Sequence, residues 1–344
     1  MKKIKLFTDL KILENVPKGY IFPVIDYLHQ GTQNMSEYYQ IASSISESDI
    51  VVLPVAVDFL LNNKKQQYVN DFIENAKKAT KKVLVFTSGD FGTTLKSSDV
   101  ITIRLAGFQS KFKNATYIMP PFIDDPYVFL NKDITYLEKE LVPKVGFVGH
   151  SATGIVKLTK EFLIFANGIL KRTIKKDHTD YQFFYPSSFF RFKYLNILKD
   201  SPRISCDFIL RNQYRAGVKT EADKHRTSFE FFKNIHDSPY TFCMRGGGNF
   251  SVRFYETLAM GRIPILIDTD CQLPFFENIN WNKHCLIVKE NEVENLPQRL
   301  LEFHSNLNSE TFLALQKENR LLWQKYLTKE TFFKQLVQNL NQIL

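Results

Sequence analysis

The chain has 344 residues, long enough for two domains that each bury a core. Its 44% hydrophobic share and 31 Phe exclude a disordered or collagen-like chain. With 45 Lys+Arg against 36 Asp+Glu the net charge is +9, which favours anionic partners. The basic residues are scattered in pairs such as Lys64-Lys65 and Lys81-Lys82, so a dedicated nucleic-acid arm is not expected.

In chain order, Ile4–Phe7 reads as a first strand and 49–54 as a second. Val69, Phe72, Ile73 and Ala76 keep helical spacing between Tyr68 and Lys78, and 82–86 is a buried strand ending in the loop 87–92. Strands follow at 100–104 and 115–119. Strand signals restart after 133–143 with 144–148, then the loop Gly149-His150-Ser151-Ala152-Thr153-Gly154 and a helix over 155–171. The stretch 179–220 is aromatic and basic without a clear period. A helix over 226–235, a strand at 240–244, a helix over 251–260, a strand at 263–267 and helices from 309 to 344 complete the pattern. This is an α/β chain with parallel strands, divided into domains at 1–140 and 141–325; the final helix at about 326–344 is a candidate to pack back on the first.

Cys206, Cys243, Cys271 and Cys285 are too widely spaced for a zinc site or a disulfide framework, so a reducing compartment fits. The first apolar stretch is interrupted by charges and cannot form a signal-peptide core, and no run of apolar residues is long enough to span a bilayer. A soluble, cytosolic protein is the expectation, with a basic surface suited to peripheral docking near acidic lipid.

Most of the chemistry gathers in Tyr240–Phe275. A buried strand feeds Arg245-Gly246-Gly247-Gly248-Asn249, where glycines let backbone amides approach a ligand. Ser251 suits the N-cap of the next helix, whose free N–H groups favour an anion. Arg245 and Arg253 can fork onto phosphate oxygens, and Glu256, three residues past Arg253, can accept hydrogen bonds from sugar hydroxyls. The plainer alternative is a glycine turn beside a surface Arg–Glu pair.

This segment resembles the C-terminal signature of the exostosin-type glycosyltransferase family. The resemblance runs through Cys243, Arg245, Gly246, Ser251, Arg253, Glu256, Gly261, Ile263-Pro264, Leu273-Pro274-Phe275 and Trp281. It implies a GT-B fold, two Rossmann-like domains facing each other across a cleft. The second domain would hold a nucleotide-diphosphate sugar, UDP- or GDP-linked, and the first a glycan acceptor. It also implies inverting transfer without a bound metal or other cofactor, and the missing anchor suggests a bacterial-type relative in surface polysaccharide or lipopolysaccharide synthesis.

Such a reaction needs a base for the acceptor hydroxyl and cations for the leaving diphosphate. Asp90, after the strand at 82–86, is the first choice of base, with Asp9 and His29 as rivals. Gly149, His150 and Ser151 stand where this fold often contacts diphosphate; Arg211 and Arg215 are further candidates for anion contact. Asp268-Thr269-Asp270 imitates a metal motif of the other major glycosyltransferase fold but trails a second-domain strand. A retaining transferase, a nucleotide-sugar epimerase and a non-enzymatic nucleotide- or glycan-binding module are the alternatives. Donor base, acceptor, linkage and oligomeric state are not legible.

Overall fold

Parallel pairing organises both halves of the chain in the computed structural model, which describes residues 2–113 and 115–344. The first sheet holds β1 (Ile4–Phe7), β2 (Tyr39–Ile41), β3 (Ile50–Val52), β4 (Val83–Phe86), β5 (Val100–Arg104) and β6 (Thr116–Ile118), in the order β2-β1-β3-β4-β5-β6. Every pairing is parallel. β3, β4 and β5 are buried along their whole length, as central strands covered on both faces must be. Helices α1 (Pro23–Gln30), α2 (Val57–Asn62) and α3 (Gln66–Lys78) belong to this half, whereas α4 (Pro126–Leu130) already packs on the second, its Tyr127 and Leu130 buried with Ile235 and Met260.

The second sheet holds β7 (Lys144–His150), β8 (Ser205–Arg211), β9 (Tyr240–Cys243), β10 (Ile263–Asp268) and β11 (Leu286–Lys289), in the order β11-β10-β9-β7-β8. It too is parallel throughout. Between and after these strands run α5 (Ile155–Thr173), α6 (Ser187–Lys199), α7 (Glu221–His236), α8 (Val252–Ala259), α9 (Leu296–Ser305), α10 (Ser309–Leu322) and α11 (Lys329–Ile343). The strand order reverses between β7 and β9. Loops leaving the carboxyl ends of those two strands diverge there and open a crevice, the place where ligands enter such sheets.

The carboxyl edges of the two sheets face each other. Asn249, beyond β9, donates its side-chain amide to the Gly107 carbonyl beyond β5 at 3.0 Å. Beyond β10, the Asp270 carboxylate accepts from the Ser110 amide at 3.2 Å and hydroxyl at 2.6 Å. Arg104, at the end of β5, is 2% exposed and pairs with Asp180 at 2.9 Å, tying the segment between α5 and α6 to the first sheet. Two Rossmann-like domains joined edge to edge across a cleft form the GT-B arrangement.

A five-residue π-turn, Trp323–Leu327, carries the chain from α10 back to the first domain. Thr328 and Thr331 close a capping box that starts α11. Phe332, Phe333, Leu336, Val337 and Leu340 are all buried in one core with Ile4, Leu6 and Phe22. The Tyr39 hydroxyl donates to the Phe333 carbonyl at 2.7 Å. Leu344, one residue past the end of α11, is exposed.

Candidate active site

The bend 245–249 leaves β9 at the strand-order reversal, directly against the first domain. A Cβ built on Gly248 would lie 2.3 Å from the Asp90 carbonyl oxygen, and one on Gly247 would lie 3.9 Å from the Asp90 carboxylate. Glycine at 248 is therefore required by close approach of backbone to backbone. Asp90 stands in the loop after β4 with its side chain open to solvent. Partial burial still raises its carboxyl above the ordinary aspartate range. Beside it lies a cavity of about 380 Å³, bordered by Tyr20, Asp58, Phe59, Ser88, Phe91 and Thr179. The buried Asp58 carboxylate accepts from the Ser88 amide at 2.7 Å and from its hydroxyl at 2.5 Å, which fixes the loop that carries Asp90.

Opposite stand three arginines. Arg245 is 4% exposed; its guanidinium lies 4.6 Å from the Tyr185 ring centre and 5.3 Å from that of Phe108, and it donates to the Gly247 carbonyl at 2.9 Å. Arg253, in the first turn of α8, stacks 4.1 Å from the Phe147 ring centre and donates to the Val148 carbonyl at 2.6 Å. Arg191, on α6, bridges the His150 carbonyl at 2.6 Å and the Arg245 carbonyl at 3.0 Å. None of the three forms an ion pair among the described residues, and each leaves its Nε–H buried without an acceptor. Burial lowers the affinity of all three for their protons; for Arg191, pulled down to about 10, the Arg253 charge adds to it. A buried cluster of like charges with unsatisfied donors is costly unless an anion supplies the acceptors.

The residues expected around this cluster take different parts. Gly149 and His150 belong to β7, because the strand continues two residues past its predicted end to pair with β8 as far as Arg211. Gly149 makes room: a Cβ there would stand 2.8 Å from the Arg253 guanidinium. His150 contacts the Lys157 amine, and its pKa is lowered, by burial first and then by the Lys157 and Arg191 charges. Ser151 is buried with an unpartnered hydroxyl, and its amide donates to the Arg211 carbonyl at 3.0 Å.

Ser251 occupies the N-cap position of α8, but its hydroxyl makes no capping bond. The Asn249 side chain is fully engaged within the protein, donating to Gly107, Thr269 and Asp270 carbonyls and accepting from the Thr269 hydroxyl; it pins the bend rather than facing a ligand. Gly246 has open space around it. Arg253 and Glu256 are not an ion pair, since Arg253 turns toward the β7 carbonyls. The Glu256 carboxylate takes no hydrogen bond among the described residues, and burial raises its pKa to about 7 against the lowering effect of Arg253.

Other candidates lie apart. Arg211 pairs with Glu230 at 2.8 Å, and the Arg215 side chain lies outside the described residues. Asp9 accepts from the Lys11 amide and the Tyr68 hydroxyl, and His29 is exposed in the last turn of α1. Asp268 caps the Cys271 amide and Asp270 holds Ser110, so both carboxylates of the Asp-Thr-Asp string serve turns. No cluster of three or more metal-ligating side chains occurs among the described residues. Arg191 and Tyr185 escape sequence reasoning because they sit in the aromatic stretch without a readable period; a lone arginine inside Ser187-Ser188-Phe189-Phe190-Arg191-Phe192 was the available signal.

Two parallel Rossmann-like sheets with their carboxyl edges apposed, the arginine group at the strand-order reversal of one and Asp90 on the other, define the GT-B fold class. Within that class, residues 148–303 match the Exostosin GT47 domain model, so the likeness carried by Cys243–Trp281 extends over most of the second sheet. Exostosin-1 of Bos taurus is 27% identical over 110 residues, which are 31% of this chain and 14% of that protein. The Exostosin-1 homolog of Caenorhabditis elegans is 40% identical over 63 residues, 18% of this chain and 16% of its own. The matched segment thus spans under a fifth of the length of either relative. Among solved structures, a glycosyltransferase from Rickettsia africae ESF-5 aligns over 100% of this chain and 99% of its own, at 13% identity and a TM-score of 0.41. WaaG, a glycosyltransferase involved in lipopolysaccharide biosynthesis, aligns over 94% and 96% at 10% identity and a TM-score of 0.34. The fold assignment rests on the two sheet orders.

Proposed function

We propose that this chain is a glycosyltransferase moving a sugar from a nucleotide-diphosphate donor, UDP- or GDP-linked, to a glycan acceptor. The observation that carries the reading is the group of three guanidiniums without ion pairs, each with a buried Nε–H that has no acceptor, at the strand-order reversal and facing Asp90 across the cleft. Arg191, Arg245 and Arg253, with the N–H groups at the start of α8, hold the diphosphate. Glu256, near half-protonated at neutral pH, meets sugar or ribose hydroxyls. The acceptor lies in the cavity beside Asp90.

In the reaction Asp90 takes the proton of the acceptor hydroxyl as its oxygen bonds to the anomeric carbon from the face opposite the diphosphate. The bond from that carbon to the diphosphate oxygen breaks, and its electron pair leaves with the diphosphate. The guanidiniums are already in place where that charge grows, so little reorganisation accompanies bond breaking. This is inverting transfer assisted by fixed cations, with no bound metal required. Assembly of bacterial surface polysaccharide or lipopolysaccharide is the setting proposed for it.

The test is transfer or donor hydrolysis with a panel of nucleotide sugars, comparing the protein with Arg253→Ala and Glu256→Ala. Activity lost in both supports the donor site, and activity unchanged in both removes it. The anomeric configuration of the product, read by NMR, decides between inversion and retention.

A further inference from the structure

α5 departs from the usual pattern of a helix in an α/β domain, because its apolar residues face away from the protein. Ile155, Val156, Phe162, Leu163, Leu170 and Ile174 are each between 50% and 84% exposed. At 100° per residue the six fall within an arc of about 120°. The opposite side makes most of the contacts with the protein, and Phe162, at the edge of the arc, also packs edge-on 5.4 Å from the Phe184 ring centre. Glu161 accepts from the Ser188 hydroxyl, Phe165 packs 5.4 Å from the Phe184 ring centre, and Arg172 bonds Thr179 and stacks over Phe91.

Charge follows the same division. Lys160 and Lys171 line one edge of the apolar arc, and Lys175 and Lys176 follow the end of the helix; all four are exposed. Glu161 is the single acidic residue of α5 and is turned inward onto Ser188. A helix with an apolar outer stripe bordered by lysines and lacking outward carboxylates matches the interface of a bilayer with anionic headgroups. No helix among the described residues is long and apolar enough to cross a membrane, so such a contact lies in the surface plane.

We infer that α5 docks the protein on an anionic phospholipid surface, its apolar stripe among the acyl-chain ends of the headgroup layer and its lysines on the phosphates. The far end of the helix borders the cavity beside Asp90, where Phe91, Asp177 and Thr179 form the rim and Arg172 lies over Phe91. The inference does not depend on the donor reading, since it is tested without sugar nucleotide.

The experiment is co-sedimentation with vesicles of equimolar phosphatidylcholine and phosphatidylglycerol, against vesicles of phosphatidylcholine alone. The intact chain is expected to bind the anionic vesicles at least about tenfold more tightly, with the difference shrinking as salt rises. The double variant Leu163→Gln/Leu170→Gln, both side chains exposed, is expected to lose binding by more than about tenfold with its thermal midpoint unchanged. Lys160→Gln/Lys171→Gln is expected to lose only the preference for anionic vesicles. Failure of the intact chain to bind anionic vesicles overturns the inference, as does binding that the Leu163→Gln/Leu170→Gln variant retains. Concentration-dependent self-association that this variant abolishes, without vesicle binding, assigns the face to a second copy of the chain and overturns it equally.

Discussion

Gly248 and Asp90 touch across the cleft so closely that a methyl group on Gly248 would come 2.3 Å from the Asp90 carbonyl oxygen. The contact joins the loop after β9 to the loop after β4 and sets how near the guanidinium cluster approaches the candidate base. Gly248→Ala must push the two loops apart. It is expected to cost ~1–3 kcal/mol in thermal or urea unfolding, the usual range for overpacking, and to lower the transfer rate through misplacement of Asp90. An alanine variant with unchanged stability and rate would show the contact to be yielding.

Asp90→Asn removes the proposed base while keeping shape. The expected result is a fall in kcat of roughly 10²–10⁴, with calorimetric binding of UDP or GDP unchanged. Partial burial raises the Asp90 pKa, so on acidification the base is protonated at a higher pH than an unhindered aspartate would be. The acid limb of the pH–rate profile is therefore expected above the ordinary aspartate range and absent in Asp90→Asn.

Arg191 and Arg211 are both basic residues from the aromatic stretch, but only Arg191 lacks an ion pair. Arg191→Ala is expected to weaken nucleoside-diphosphate binding by roughly tenfold or more. Arg211→Ala, whose partner is Glu230, is expected to leave that binding within about twofold. Equal effects in the two variants would dissolve the assignment of Arg191 to the diphosphate.

Glu256 offers a stability test independent of turnover. Its folded pKa of about 7 lies above the value of 4.5 usual for glutamate. The fold therefore favours the protonated form: Glu256 leaves stability undiminished below the unfolded pKa and reduces it as pH rises through the folded one. Glu256→Gln mimics the protonated state. It is expected to match the unaltered chain near pH ~4 and to be more stable, by roughly 1–3 kcal/mol, at pH ~8.

Phe333 is wholly buried among Phe22, Tyr27, Phe122 and Phe332. Phe333→Ala is expected to cost ~3–5 kcal/mol in unfolding experiments. The same truncation at the exposed Leu344 is expected to cost less than ~0.5 kcal/mol.

Sequence patterning reached the strands whose residues are buried on both faces. Ile50-Val51-Val52, Val83-Leu84-Val85-Phe86 and Ile263-Pro264-Ile265-Leu266-Ile267 are continuous apolar runs, and each is a central strand. β2 and β8 lie at sheet edges, where one side is open and the apolar run breaks up; Ser205–Arg211 carries Asp207 and exposed Ile209 and Leu210. Local glycine and arginine signals located the bend at 245–249 and the start of α8, because those residues are contiguous. Arg191 could not be found that way. It comes from a helix some fifty residues upstream of the bend, and only the pairing of β7 with β9 brings the two together. Likewise the surface Arg253–Glu256 pair, the plainer alternative in the sequence, does not form, because room left by Gly149 draws the arginine inward under Phe147.

The return of α11 to the first sheet means that the polypeptide crosses between its two bodies twice, once just before α4, since 126–140 already lies on the second body, and once through the π-turn. Leu141, between that crossing and β7, is fully exposed and open to a protease. A nick there would not release the N-terminal body, because the downstream fragment still inserts Phe332, Phe333 and Leu340 into its interior. The two pieces are thus built to stay together after cleavage, and to reassemble when expressed as separate chains.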